Sequence, residues 1–224
     1  MTNYWDKCFL EKLDKEYFNT SFKQIIFEVG SRYGDETLEL SKHFPHANLY
    51  SFECNPNTID ICMKKLNNKK NITFLPVGLG ANNEKLPFYS YTQNNDGASS
   101  FLKRIDYNST QKNTGEVNIR TIYNIMNEYK LDYIDLLCMD VQGFELNVLK
   151  GAGDYISKIR YIIMEEPKPI INELYLPKNT YSKYINAPSS QEIKEFMNTH
   201  NFIEIERINE NMIEDNVMYR NTLM

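Results

Sequence analysis

Three short clusters place chemically capable residues at the ends of apolar runs. The first is Phe27-Glu28-Val29-Gly30-Ser31-Arg32-Tyr33-Gly34-Asp35. It reads as a strand, a glycine turn and a helix start, and glycine at position 30 lets a ligand approach the backbone closely. The Gly-x-x-x-Gly spacing is not the dinucleotide fingerprint GxGxxG, and a structural turn explains it equally well. The second cluster, Ser51-Phe52-Glu53-Cys54-Asn55-Pro56, puts Glu53 at a strand end, 23 residues beyond Gly30. An acid about 20 residues past such a turn can accept both ribose hydroxyls of a nucleoside. A solvated strand-end acid is the plain alternative. The third cluster, residues 133–151, is an apolar run that ends in Asp140, turns at Gly143 and enters a helix closed by Gly151.

The charges discriminate between nucleoside ligands. A pyrophosphate docks on the amino end of the first helix, but here that turn carries Asp35 and Glu36. S-adenosylmethionine has no phosphate, and its cationic reacting end suits acids at Glu28, Glu53 and Asp140. This favours a methyl donor over NAD, although acids also suit helix starts for dipole reasons alone.

These clusters must be held by an alternation of strands and helices. Residues 6–18 have the spacing of a leading helix. Bounded apolar runs at 24–29, 48–53, 71–77, 133–139 and 160–164 read as buried parallel strands, with closing strands at 202–208 and 216–219. Helical spacing covers 35–44, a stretch from Pro56 through Leu66, 121–129, 144–150 and 191–198. Residues 86–91 are an extra strand or an extension. The alternation implies an α/β fold with right-handed crossovers and a mostly parallel sheet, one of the two last strands being antiparallel at its edge. Ligands of such sheets bind at the carboxyl ends of the strands. Two long connections, 92–116 and 166–188, are candidate lids.

The third cluster resembles the FkbM family of S-adenosylmethionine-dependent methyltransferases, whose corresponding segment runs I-D-L-L-K-x-D-V-E-G-x-E. Glu28-Val29-Gly30 with Gly34, Phe52-Glu53 with Asn55-Pro56, Val77-Gly78-Leu79-Gly80 and Gly97-Ala98-Ser99-Ser100-Phe101 match in order and spacing. The resemblance spans about residues 22–220 and departs from the pattern at Tyr123, Cys138 and Gln142. It implies a class I methyltransferase Rossmann-like sandwich with a seven-stranded sheet over 22–224, preceded by a helical extension over 1–21. It implies O-methylation of a hydroxyl, often on a sugar or polyketide, by in-line displacement at the sulfonium methyl. The donor is then expected against Glu28, Gly30, Ser31, Arg32, Tyr33 and Gly34, against Glu53, Cys54 and Asn55, and against Gly78, Ser99, Ser100 and Asp140. Asp140, Glu145 and Glu165 are the candidate catalytic carboxylates, and no metal site is assigned. The acceptor is expected to be a small molecule or glycan. Asp140-Val141-Gln142-Gly143 stands where amino-methylating families carry Asn/Asp-Pro-Pro-Tyr/Phe, which argues against adenine or glutamine amide nitrogen as acceptor. Tyr175, Tyr181 and Tyr184 either anchor the second long loop or offer a sugar an apolar platform.

The remaining sequence narrows the classes. A net charge of -5 makes the chain a poor general binder of nucleic acid. No apolar run approaches the ~18 residues of a membrane span. The start lacks a basic region followed by an apolar stretch, and Cys8, Cys54, Cys62 and Cys138 form no CxxC pair, so reduced thiols and a cytoplasmic setting are expected. His43, His46 and His200 read as structural. Two rival readings stay open: a donor-binding scaffold without catalysis, for which Gln142 and Cys138 leave room, and an NAD-dependent oxidoreductase.

Overall fold

The computed structural model describes residues 7–16, 23–91, 96–104, 111–168, 184–209 and 213–224. In chain order these form α1 (Lys7–Glu16), β1 (Ile25–Val29), α2 (Asp35–His43), β2 (Asn48–Phe52), α3 (Ile59–Leu66), β3 (Ile72–Leu75), β4 (Gly78–Leu79) and β5 (Glu84–Ser90). There follow β6 (Lys112–Arg120), α4 (Ile122–Tyr129), β7 (Ile134–Met139), α5 (Glu145–Lys150), β8 (Ile159–Pro167), α6 (Ser190–Thr199), β9 (Phe202–Asn209) and β10 (Glu214–Asn221).

Seven strands make one sheet in the order β3-β2-β1-β7-β8-β10-β9. β1 pairs in parallel with β2 on one side and β7 on the other, so the strand order reverses at its carboxyl end. That is where an open α/β sheet leaves a crevice. The reversed strand is β10, which runs antiparallel to both β8 and β9 and lies one place in from the edge. β7 is buried at all six positions, as a strand covered on both faces must be. Its alternate residues face two different cores. Leu137 and Met139 join Phe27, Val29, Ile125, Val148 and Ile193 on one face. Leu136 and Cys138 join Ile26, Leu40, Phe9 and Leu13 on the other. α1 thus packs onto the sheet, and its Lys12 Nζ donates to the Ile205 carbonyl at 2.7 Å and to Glu206 at 2.6 Å. Thr121 caps α4 by accepting from the Asn124 amide at 3.1 Å, and Ser189 with Glu192 forms a capping box on α6. Such caps contribute about 1 kcal/mol each.

The sequence-based elements require four adjustments. β6 lies partly inside the supposed loop 92–116; its residues are mostly polar because it pairs antiparallel with β5 in a small, largely exposed sheet, β4-β6-β5. The two-residue β4 was too short to show periodicity. Pro56 lies in the turn before α3 rather than in its first helical turn. β8 continues past residue 164 to Pro167, where Glu214 of β10 pairs with it. Among the described residues, no helix is long and apolar enough to cross a membrane. Tyr175 and Tyr181 lie outside the described residues.

Candidate active site

A cavity of about 750 Å³ opens at the carboxyl ends of β1, β2 and β7. Small-molecule sites usually fall within roughly 300–1,000 Å³. Its floor is three strand ends joined by backbone hydrogen bonds. The Gly30 and Ser31 amides donate to the Phe52 carbonyl at 2.9 and 3.0 Å, and the Asp140 amide donates to the Val29 carbonyl at 3.0 Å. Gly30 has φ +93°, and a Cβ there would lie 2.1 Å from the Asp140 carbonyl oxygen. Glycine is therefore demanded by the chain itself, before any ligand arrives.

Below this floor lies a buried polar network. Thr37 Oγ1 and Ser31 Oγ donate to Glu28, and Ser31 Oγ sits 2.6 Å from Ser51 Oγ. Burial pushes the Glu28 carboxyl up to about 8. Ser31 is fully buried and does not line the cavity, so its hydroxyl orients Glu28 rather than a ligand. Gly34, at the amino end of α2, packs on Leu66 and is also off the lining.

Glu53 ends β2 on the cavity wall. Its carboxylate accepts from the Arg32 amide and, at 2.6 Å, from the Asn55 amide. Burial still raises it to about 7. These amides, with the Cys54 amide and the Thr58 hydroxyl, favour the charged form and fix the carboxylate's orientation on the wall. Across the mouth, Arg32 Nε donates to Asp96 Oδ1 at 3.0 Å, and the Tyr33 hydroxyl donates to Asp96 Oδ2. Asp96 and Gly97, with Phe88, Phe101, Leu79 and Val141, are lining residues that the sequence reading missed. Asp96 carried no motif of its own. Its signal would have been its position one residue ahead of the recognised Gly97-Ala98-Ser99-Ser100.

The apolar part of the wall is set by aromatic packing. The Phe101 ring lies 5.0 Å from Phe88 and 4.9 Å from Phe144. A Cβ on Gly78 would come within 2.7 Å of Phe101, so Gly78 lets the small sheet close onto that ring. Cys54, Asn55 and Ser99 line the cavity, whereas Ser100 Oγ donates to the Gln142 carbonyl at 2.9 Å behind it.

At the end of β7, Asp140 lines the cavity and is raised to about 7, chiefly by burial, with a hydrogen bond from Gln142 opposing the rise. Of the other two catalytic candidates, Glu145 is not on the lining. Its Oε1 accepts from the Val141 and Gly143 amides at 3.2 and 3.3 Å, so it caps the β7–α5 turn. Burial raises it to about 8. Glu165 sits behind the cavity wall and reaches Asp140 through the Gln142 amide. Tyr184 is buried and donates to Gln142 Oε1 at 2.6 Å, which makes it an anchor rather than an exposed platform. None of the three histidines lines the cavity. Among the described residues, no three metal-ligating side chains converge.

Among the described residues, seven carboxylates and one guanidinium line the cavity. This set fits S-adenosylmethionine better than a diphosphate: acids suit a cationic ligand and ribose hydroxyls, aromatics and aliphatics suit a base, and the one guanidinium, Arg32, is already paired with Asp96.

Comparison with known proteins agrees with this geometry. The family description "Methyltransferase FkbM domain" matches residues 28–204. The 2-O-methyltransferase NoeI of Sinorhizobium fredii (strain NBRC 101917 / NGR234) is 24% identical over 165 residues, covering 68% of this chain and 67% of its own length. Methyltransferase sdnD of Sordaria araneosa is 24% identical over 180 residues, covering 67% and 69%. Among solved structures, Aeropyrum pernix fibrillarin, holding natively bound S-adenosyl-L-methionine, superposes with a TM-score of 0.52 at 13% identity, covering 97% of this chain and 76% of that one. TrmK of M. capricolum, in complex with S-adenosyl-homocysteine, gives 0.51 at 11% identity, covering 95% and 67%. These likenesses establish the class I methyltransferase fold.

Proposed function

The chain belongs to the FkbM methyltransferase family, whose methyl donor is S-adenosylmethionine, and from that premise we propose that it methylates a hydroxyl oxygen, the acceptor being a sugar or glycan. The observation that carries this reading is one cavity bounded by Glu53 at the end of β2, Gly30 at the end of β1 and Asp140 at the end of β7. Glu53 would hold the ribose hydroxyls. The acids on the first turn favour a cationic ligand. When bound, S-adenosylmethionine supplies an electrophilic methyl group. Asp140 lines the cavity, its Oδ1 is engaged by Gln142, and its Oδ2 would accept a hydrogen bond from the acceptor hydroxyl. A hydroxyl is a weak nucleophile, and a base with a pKa near 7 is well matched to taking its proton. The acidic lining and the net charge of -5 argue against nucleic acid as acceptor. Oxygen as the methylated atom is supported by the name of the relative NoeI, a 2-O-methyltransferase.

Cys138 no longer favours a catalytically silent scaffold, because it is fully buried in the sheet core and its thiol is pushed up by burial. An NAD-dependent reading has no cationic partner for a diphosphate other than Arg32, already engaged by Asp96. Reduced cysteines and the acidic composition fit a cytoplasmic setting. The test is S-adenosylhomocysteine formation with a panel of free sugars and oligosaccharides, with the methylated product mapped by mass spectrometry. Turnover confined to amine acceptors would refute the O-methyl reading.

A further inference from the structure

The turn after β7 passes through two consecutive left-handed residues, Gln142 (φ 55°) and Gly143 (φ 91°). Glycine adopts that conformation freely, whereas glutamine does so against its preference. A residue held in this way directs attention to what its side chain does. The Gln142 Nε2 donates to Asp140 Oδ1 at 2.6 Å and to Glu165 Oε2 at 3.2 Å. Its Oε1 lies 2.6 Å from the Tyr184 hydroxyl, whose one hydrogen it shares with the Ala98 carbonyl at 2.9 Å, and its backbone carbonyl accepts from Ser100 Oγ at 2.9 Å. The neighbours fix the amide's orientation: two carboxylates require a donor, and a hydroxyl can supply a hydrogen.

We propose that Gln142 is the positioning residue of the methyl-transfer site, an uncharged clamp that ties Asp140 on the cavity wall to Glu165 behind it. The clamp engages Asp140 Oδ1 and leaves Oδ2 to meet the acceptor. This rests on the methyltransferase reading of the cavity. Two nearby carboxylates repel, and an amide gives each a hydrogen without adding charge. A carboxylate of the same shape at position 142 would instead add a third like charge. The other groups acting on Asp140 are Glu214 and Glu36, which oppose its ionisation, and Arg32, which favours it. Glu145, Tyr184 and Glu165 also face it.

The experiment compares Gln142→Gly and Gln142→Glu with the wild type. Gln142→Gly removes the clamp while relieving the backbone, and these two effects on the unfolding temperature oppose each other. Affinity for S-adenosylhomocysteine is expected to stay within about threefold, while kcat falls about tenfold to a hundredfold as the carboxylate loses its fixed orientation. The acid limb of the pH–rate profile moves to higher pH, because Asp140 has lost a donor that favours its charged form. Gln142→Glu moves it further. Unchanged turnover, or a lowered unfolding temperature with an unmoved pH profile, overturns the proposal. A second readout needs no methyl transfer: carbon-13 NMR titration of the Asp140 carboxyl in the ligand-free protein. Its midpoint is expected to be higher in Gln142→Gly than in the wild type, and an unmoved midpoint refutes the clamp. A moved midpoint in a protein that methylates no hydroxyl acceptor upholds the clamp and refutes the functional reading instead.

Discussion

Replacing Glu53 by alanine tests the donor half of the cavity. The carboxylate accepts from the Arg32 and Asn55 amides on its protein side. A ribose would add two hydroxyl donors on the other. Hydrogen bonds to a charged group are worth roughly 1.5–3 kcal/mol each. Loss of even one corresponds to at least about a tenfold weaker Kd, at ~1.4 kcal/mol per decade. The structure adds a pH signature. The Glu53 carboxyl is raised to about 7, so below that pH a growing fraction is protonated and has lost acceptor capacity. Wild-type affinity for S-adenosylhomocysteine should therefore fall as pH drops from 8 to 6, and Glu53→Ala should flatten that dependence as well as weaken binding. Titration calorimetry at pH 6, 7 and 8 measures both. The variant also leaves two backbone amides without their acceptor, so circular dichroism must first show it folded. A folded Glu53→Ala protein with wild-type affinity at all three pH values would remove Glu53 from the binding site.

Three further outcomes are expected. Asp140→Asn keeps the shape and removes the charge; kcat should fall about a hundredfold with donor affinity little changed, and steady-state kinetics beside calorimetry would expose a collapse of affinity instead. Gly30→Ala sets a Cβ against the Asp140 carbonyl at a positive φ; it should destabilise the fold by about 2–4 kcal/mol, and a urea midpoint equal to the wild type would contradict the packing described. Glu28, Glu53, Asp140 and Glu145 all have folded-state values raised to about 7 or 8 from 3.8–4.5. Such groups stabilise the fold below their unfolded pKa, and that contribution is lost as pH rises through the folded values. The ligand-free protein should therefore melt at a higher temperature near pH 5 than near pH 8, by at least ~2–4 °C for each net kcal/mol, and a scanning-fluorimetry profile rising over that range would refute the burial of these acids.

The central strands β1 and β7 were readable because parallel strands covered on both faces must be apolar, as Ile25-Ile26-Phe27 and Leu136-Leu137-Cys138-Met139 are. β6 was not, because Lys112-Asn113-Thr114-Gly115-Glu116 satisfies its backbone against β5 with its side chains in water, and exposure leaves no periodic signature. In the site, Gly30, Glu53 and Asp140 sit at strand ends, where topology alone converges them. Glu145 looked equally promising in the sequence, but at the start of α5 it turns back to cap Val141 and Gly143. The roles of Asp96 and Tyr184 depend on contacts over 64 and 86 residues of sequence, to Arg32 and to the Ala98 carbonyl respectively, which no local pattern encodes.

The floor and roof of the cavity are fastened to different parts of the molecule. The amides of Gly30, Ser31 and Asp140 extend the central ladder beyond the strands, so the floor can open only with the sheet and its amides should exchange with solvent among the slowest. The roof, Asp96 to Phe101, is joined to β5 by the Tyr89–Ser100 bridge and belongs to the small, exposed sheet, with its own lower cost of opening. A ligand in this cavity thus lies between a wall built into the central ladder and one held to it by side-chain contacts, Arg32 to Asp96 and Ser100 to the Gln142 carbonyl. Weakening the Asp96–Arg32 contact should therefore shorten a ligand's residence time while leaving the floor's backbone ladder unchanged.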